Sequence, residues 1–521
     1  MPPAQSDNSH DSPRVCFIQP HQDINIHPVP RKKTAVLGRY LSLGIATMAA
    51  YLRRAGFPNV SVIDSASPRM SYDQFEQRIR DIGPHIAALT ATTMDWPEVV
   101  ALARIIKEVN PDIWVVVGGF HLNCYPEESL SFACIDIGVQ GDGEETMLEI
   151  VEARAAGRSP YGIAGTWQRD ADGVPKKAGP RAPVKDLDSL PFAARDLFPN
   201  HLYRAITIER PFATMTTVRG CPYACSYCGQ TGVRESYRAR SAESIFEEIR
   251  FLIHSGFKEL IFFDETFTVD RERVIELCTR MINSGLTIPW TCRTRVDLVD
   301  RDLLKLMKRS GCKRLQMGIE SGSPAVLERM NRKINLSQVE EGFRLAQELG
   351  FERRGYFMLG YLDETPAEAQ MTIDLACRMK LDWASFSRTI GLPATPLYDD
   401  LLQRGILEVD FWREYTLLRF GNKVPYVQEE EYLRGLQRRA YRKFYSRPSV
   451  LLGKLRDLPS LHRAKEYAQG AQLFFAIQTE ANRNVPSTMW KRVAGQHNVR
   501  LGELAGSERG KSSGGSDHLG W

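Results

Sequence analysis

No stretch of this chain approaches the roughly 20 consecutive apolar residues that would cross a bilayer. Met1–Ser12 is polar and lacks the apolar core of a secretory signal. Charge of one sign is scarce as well: 521 residues carry a formal net charge of +5, with 43 % hydrophobic and 25 % charged residues. That balance argues against a nucleic-acid footprint and describes ordinary globular composition. No second C-x₂-C or His-x₃-His pair is present to complete a structural zinc site. Ten cysteines scattered over this length do not form the framework of a small disulfide-stapled protein. Gly-x-Gly-x-x-Gly does not follow the first strand-like run, which weakens a nicotinamide or flavin reading. What remains is a large chain of about three domains, expected in a reducing cytoplasm, with no transmembrane segment and no nucleic-acid partner.

Three of the cysteines are not scattered. Cys221, Cys225 and Cys228 lie in Gly220-Cys-Pro-Tyr-Ala-Cys-Ser-Tyr-Cys-Gly229, a C-x₃-C-x₂-C run that offers three thiolates on one tight loop. Thiolates are the ligands of iron–sulfur clusters. A four-iron cube wants four, so one iron would stay open to a substrate or cosubstrate. The competing readings are a structural zinc site and a disulfide. The other cysteines sit mostly in apolar or helical runs and read as buried free thiols.

From 213 to 400, strand-like runs alternate with amphipathic helices. The strands read as Ala213–Arg219, Glu259–Asp264, Trp290–Val296, Arg314–Glu320, Gly355–Tyr361 and Trp383–Ile390. Helix starts are marked by Thr365-Pro-Ala-Glu368 and Ser337-Gln-Val-Glu340, read as capping boxes, and by Ser323-Pro324. Repeated βα units imply a parallel sheet, and six of them make a partial barrel with its site at the strand C-termini. The cysteine loop follows the first strand. Asp264-Glu265, Arg293 and Arg295, Glu320-Ser321 and Gly360 end later strands on the same rim.

Residues 14–150 show a second alternation, with strands Val15–Pro20, Val60–Ile63, Ile86–Thr90, Ile113–Val117 and Ile135–Val139 and helices Thr47–Ala55, Tyr72–Ile82 and Val99–Val109. This reads as a Rossmann-like doubly wound sheet, whose ligands lie outside the strand C-termini. Small residues and hydroxyls gather there: Gly44, Thr90-Ala-Thr92-Thr93, Gly118-Gly119-Phe-His121 and Gly141-Asp-Gly143-Glu144. Residues 151–212 read as a linker containing a hairpin with an Asp172-Gly173 turn. Residues 401–505 read as a helical C-terminal cap. Residues 1–13 and 506–521 read as disordered tails. In the cap, Arg434, Arg438, Arg439, Arg442, Lys443 and Arg447 form a basic stripe, read as a solvated face against a docking surface for an anionic partner. Phe411, Trp412 and Tyr415 are candidates to line a substrate cavity, with core packing the favoured alternative.

The cysteine run resembles the cluster loop of the radical SAM superfamily. The glycine and threonine pattern before it resembles the cobalamin-binding domain fused to such barrels. The resemblance covers residues 14 to 400 and is to the cobalamin-dependent radical SAM enzymes, which include class B methyltransferases and an anaerobic porphyrin cyclase. It implies a [4Fe–4S] cluster on Cys221, Cys225 and Cys228 that chelates S-adenosylmethionine (SAM). Tyr227 would lie beside its adenine, with Asp264, Glu265, Arg293, Arg295, Glu320, Ser321 and Gly360 as further SAM contacts. The family's Gly-Gly-Glu is replaced here by Asp264-Glu265. Gly44, Thr90, Thr92, Thr93, Gly118, Gly119, His121, Gly141, Gly143 and Glu144 are the implied cobalamin contacts. The Asp-x-His-x-x-Gly motif that ligates cobalt elsewhere is absent, so a base-off cobalamin without a histidine ligand is expected.

The implied chemistry is methyl transfer. Reductive cleavage of SAM gives a 5′-deoxyadenosyl radical that takes hydrogen from an unactivated carbon of a small, free or carrier-bound substrate, and methylcobalamin then supplies the methyl group. A flavodoxin- or ferredoxin-type protein is the expected electron donor. No side chain is singled out as an obligatory acid or base. The alternatives are an oxidative cyclase or rearrangement enzyme using the same cofactors, and, among non-enzymes, a corrinoid-binding sensor or an iron–sulfur electron carrier.

Overall fold

The computed structural model describes residues 12–20, 38–65, 70–205, 208–233, 236–419, 424–448 and 450. The tail expected at 506–521, most of that at 1–13, and most of the helical cap beyond 448 lie outside these residues.

Short apolar runs at the start of the chain become buried parallel strands because both faces of their sheet are covered by helices. These are β1 (Val15–Gln19), β2 (Val60–Asp64), β3 (Ile86–Thr90), β4 (Trp114–Gly118) and β5 (Ile137–Val139). The expected hairpin forms as β6 (Thr166–Arg169) and β7 (Pro175–Lys177). It is not a free connector, because Gly138 pairs antiparallel with Trp167 and extends the sheet to the order β2-β1-β3-β4-β5-β6-β7. The strand order reverses at β1/β3, the switch point at which ligands bind in such sheets. The helix Leu43–Arg54 starts four residues before its expected position because Ser42 caps it, its hydroxyl accepting from the Ile45 N–H.

β8 (Phe212–Met215) leads into a two-residue antiparallel pair, β9 (Val218–Arg219) with β10 (Arg238–Ala239), which brackets the cysteine loop. Then come β11 (Glu259–Phe262), β12 (Trp290–Thr294), β13 (Cys312–Glu320), β14 (Glu352–Leu359) and β15 (Trp383–Arg388). β8 and β11 to β15 form a six-stranded, all-parallel sheet in sequence order, the expected (β/α)6 partial barrel. The sequence predicts one unbroken first strand from Ala213 to Arg219. It breaks after Met215 because the Asp264 carboxylate, and not a neighbouring strand, takes up the Thr217 and Val218 N–H groups.

Alternation decides what the barrel encloses. Leu260, Phe262, Trp290, Cys292, Leu315, Met317, Phe357 and Leu359 pack in the core beneath the outer helices, so Thr291, Arg293, Gln316, Gly318, Glu320, Arg354 and Tyr356 face the lumen. Thr365 and Glu368 form the expected capping box. The other box is Asn335 with Gln338, two residues before the expected Ser337 and Glu340. The helix Glu430–Tyr445 packs on β15, where the Tyr441 and Tyr445 hydroxyls meet the Phe386 and Ala384 backbone. Phe411, Trp412 and Tyr415 join the core of the first domain with Trp96 and Tyr125. They are packing residues, not cavity lining.

Candidate functional site at the junction of the two sheets

A cavity of about 350 Å³ opens at the β1/β3 switch point. Its floor is the strand ends at Thr90, Gly118, Gly119, Gly141 and Gly143, its side is the helix start at Gly44, and its roof comes from the barrel at Thr216, Val218 and Arg219. Two glycines show what it could hold. Gly119 has φ +104, and a Cβ there would lie 2.6 Å from the Ala91 carbonyl oxygen, so only glycine fits. A Cβ on Gly44 would meet nothing within 4 Å. Its missing side chain leaves open space that a broad, flat ligand such as a corrin can occupy against the backbone.

Of the expected cobalamin contacts, Gly44, Thr90, Gly118, Gly119, Gly141, Gly143 and Glu144 line this cavity, while Thr92, Thr93 and His121 do not. Thr92 bonds Asp95 at the start of the next helix. His121 is fully buried in the core, with its ring centroid 4.4 Å from that of Trp96. Its nitrogens meet the Thr93 and Thr416 hydroxyls at 3.3 Å. Burial lowers its pKa to about 3. The ring is therefore a neutral packing element that fastens the helix Phe411–Thr416 to the sheet.

The cavity and the cysteine loop are joined by charge. Arg219, two residues before Cys221, pairs with Asp142 at 2.9 Å and Glu144 at 2.5 Å, and Arg238 also reaches Asp142 at 2.5 Å. Burial would raise the Asp142 pKa, but Arg219, Arg238 and the Val184 N–H outweigh it and hold the carboxyl below its ordinary value. Glu144 is thereby turned toward Arg219, although it also lines the cavity.

The rim loops of the barrel fix the cysteine loop. The Asn331 amide donates to the Ala224 carbonyl at 2.7 Å, the Ser226 N–H donates to the Met330 carbonyl at 3.1 Å, and the Ser226 and Tyr361 hydroxyls lie 2.7 Å apart. Arg332 reaches the Cys225 sulfur at 3.7 Å and lies 4.0 Å from Glu320. Burial pushes the Cys228 thiol up to about 11 and raises Cys221 as well. Among the described residues no three His, Cys, Asp or Glu side chains converge on a single metal ion, as a zinc site requires. A four-iron cube binds its thiolates on separate irons, and three cysteines on one loop beside a guanidinium suit that polynuclear group.

Tyr227, Glu265 and Glu320 gather at this loop. Glu320 has φ +70 and accepts a hydrogen bond from Tyr227; burial raises its pKa. Glu265 is exposed, and its charge acts on Cys221 and Cys228. The other expected SAM contacts are placed differently. Asp264 is buried and accepts from the Thr217 N–H at 2.6 Å, the Thr217 hydroxyl at 2.5 Å and the Val218 N–H at 3.2 Å, clamping the strand that delivers the cysteines. Arg295 is bound bidentately by Asp297 and lies 3.9 Å over the Tyr223 ring, supporting the loop. Ser321 is buried on Thr372. Gly360 donates its N–H to Glu364, whose pKa burial raises to about 7. Arg293 lies deeper, 5.0 Å over the Phe263 ring. Arg332, Arg219 and Asp142 escaped the sequence reading. The last two had a signal, since they sit beside Cys221 and inside Gly141-Asp-Gly-Glu144; Arg332 had none.

The profile of the Radical SAM superfamily matches residues 215–376, and that of the B12 binding domain matches residues 34–151. An uncharacterized methyltransferase, PH0819, of Pyrococcus horikoshii is 33% identical over 415 residues, 79% of this chain and 89% of that protein. The chain belongs to the cobalamin-binding radical SAM family. Another relative within that family's reach is the anaerobic magnesium-protoporphyrin IX monomethyl ester cyclase of Cereibacter sphaeroides, 28% identical across 84% of this chain and 71% of that one. Among solved structures, the radical SAM methyltransferase TsrM from Kitasatospora setae, with cobalamin and a [4Fe–4S] cluster bound, superposes with a TM-score of 0.61 at 18% identity, covering 75% of each chain. That likeness shows the shared fold of this family.

Proposed function

We propose that this chain is a cobalamin-dependent radical SAM methyltransferase acting on an unactivated carbon of a small molecule. One observation carries the reading: the cavity at the switch point of the first sheet is roofed by the strand that delivers the cysteine loop. Ligands of the two domains would therefore meet across a single space. When bound, the cluster supplies the electron that cleaves SAM, and cobalamin carries the methyl group. The protein's share is positioning and exclusion of water.

In this reading residues 14–150 hold cobalamin through Gly44, Thr90, Gly118, Gly119, Gly141, Gly143 and Glu144. Residues 213–400 hold the cluster on Cys221, Cys225 and Cys228. Tyr227, Glu265, Glu320 and Arg332 surround SAM, and Asp264 and Arg295 position the loop from below. His121 is already bonded on both nitrogens, which supports a cobalt without a histidine ligand. Unpaired cysteines and an oxygen-sensitive cluster favour a reducing cytoplasm with a flavodoxin- or ferredoxin-type donor.

The test is stoichiometric. Anaerobically reconstituted full-length chain, given SAM labelled in its methyl group and candidate acceptors, should place the label in product and release one S-adenosylhomocysteine for each 5′-deoxyadenosine. Similarity to the cyclase across 84% of the chain keeps ring closure as the second reading. Turnover with 5′-deoxyadenosine, no matching S-adenosylhomocysteine and no label in product would establish it instead.

A further inference from the structure

The lumen of the barrel holds two guanidiniums that make no ion pair among the described residues. At its closed end the cations are matched. Arg314 is bound by Glu352 through two contacts of 2.8 Å, and Glu259 lies 3.8 Å from Lys313. One level higher, Arg293, Gln316 and Arg354 stand in direct register on β12, β13 and β14. Among the described residues, no carboxylate lies within ion-pair distance of Arg293 or Arg354. Arg293 lies 5.0 Å over the Phe263 ring and Arg354 5.9 Å over the Trp383 ring, while Glu352, committed to Arg314, also exerts its charge on Arg354.

The polar groups around them are donors too. The Gln316 carbonyl oxygen is taken by the Tyr356 hydroxyl at 2.5 Å, which leaves the Gln316 amide free to donate. Tyr40, from the first domain, packs edge-on against Phe212 and Phe263 with centroids at 5.9 and 4.8 Å. Its phenol lies within the fields of Arg354, Arg293 and Arg314. Arg293, Gln316, Arg354 and Tyr356 are all partly exposed although they face inward, so the lumen is open at this level. Two guanidiniums and an amide with no acceptor among them form a site for an anion.

We propose that Arg293 and Arg354, with the Gln316 amide between them, seat a carboxylate or phosphate group of the substrate. This deepens the methyltransferase reading above and rests on it. A bulge at Gly318/Glu320 sets Glu320 opposite Phe357, so the level of Gln316 and Arg354 lies three strand residues, roughly 10 Å, below Glu320 at the cluster rim. The anionic group and the reacting carbon are therefore several bonds apart, with the carbon uppermost.

Calorimetric titration of the reconstituted full-length chain with inorganic phosphate and inorganic pyrophosphate tests the site. Wild type and Arg344→Gln, a surface control, should bind both alike. Arg293→Gln and Arg354→Gln should bind at least tenfold more weakly, and Arg354→Lys should recover part of the loss. Equal binding by all these proteins, or none by wild type, overturns the proposal. SAM titration of the same proteins identifies the source of the anion. A tenfold loss of SAM affinity in Arg293→Gln, with phosphate binding intact, would assign the arginine to SAM and overturn the substrate assignment. Reductive SAM cleavage by wild type is measured separately, so that failure of the family reading is distinguishable from failure of this one.

Discussion

Removing Arg219 should loosen the cavity floor in a way that removing its partner as well should repair. Arg219→Gln leaves Glu144 and Asp142, whose side chains are only 3 and 8% exposed, without their shared cation. Arg238 still neutralises Asp142, so the uncompensated charge falls on Glu144. Stranding one buried partner costs about 3–5 kcal/mol, and the remaining exposure of Arg219, 23%, places this case at the lower end. About 3 kcal/mol corresponds to roughly a hundredfold more frequent local opening. Hydrogen exchange reads this directly, because the N–H of Gly141, in the loop that carries Glu144, is held by Asn123. Peptides covering 140–145 should exchange roughly a hundredfold faster in Arg219→Gln. Arg219→Gln with Glu144→Gln should recover most of the protection, since no charge is then stranded. Unchanged exchange in the single variant, or a double variant worse than the single, would refute the role given to the Arg219–Glu144 pair.

Four further outcomes follow from the same geometry. Cys225→Ser should lose most of the iron that wild type takes up on anaerobic reconstitution, about four per chain, measured by iron and sulfide analysis; zinc retained in place of iron would overturn the cluster assignment. Gly44→Leu fills open space, so thermal unfolding of the cofactor-free protein should move little, within about 1 kcal/mol, while cobalamin should no longer co-elute on gel filtration. Asp264→Asn should cost about 1–3 kcal/mol by weakening the acceptor for two backbone N–H groups, seen as faster loss of iron to a chelator. His121 is neutral in the fold down to about pH 3 and has an ordinary pKa of about 6.5 when unfolded. The unfolded chain therefore binds the extra proton, and stability should fall as pH drops below 6.5, by about 2 kcal/mol at pH 5. Urea midpoints at pH 7 and pH 5 should show that acid loss in wild type and a smaller one in His121→Leu.

The cysteine loop was legible from sequence because its chemistry is local: three thiols within eight residues need no partner elsewhere to be recognised. The two βα alternations were legible for a similar reason, since apolar runs and helix starts are read within windows of ten residues or so. The direction in which a single polar side chain points was not. Asp264 and Glu265 are neighbours, yet one turns inward to clamp Thr217 and the other lies at the cysteines, because successive residues at a strand end face opposite ways. His121 sits in the glycine motif but packs on Trp96, which in turn donates to the Thr416 carbonyl 320 positions away. Arg332 meets Cys225 across 107 residues only because the chain has closed most of a barrel between them. Local spacing announced which cofactors this chain is built for. Strand register and inter-domain packing decided which side chains face them, since a one-residue change of face sends a side chain from the site into the core.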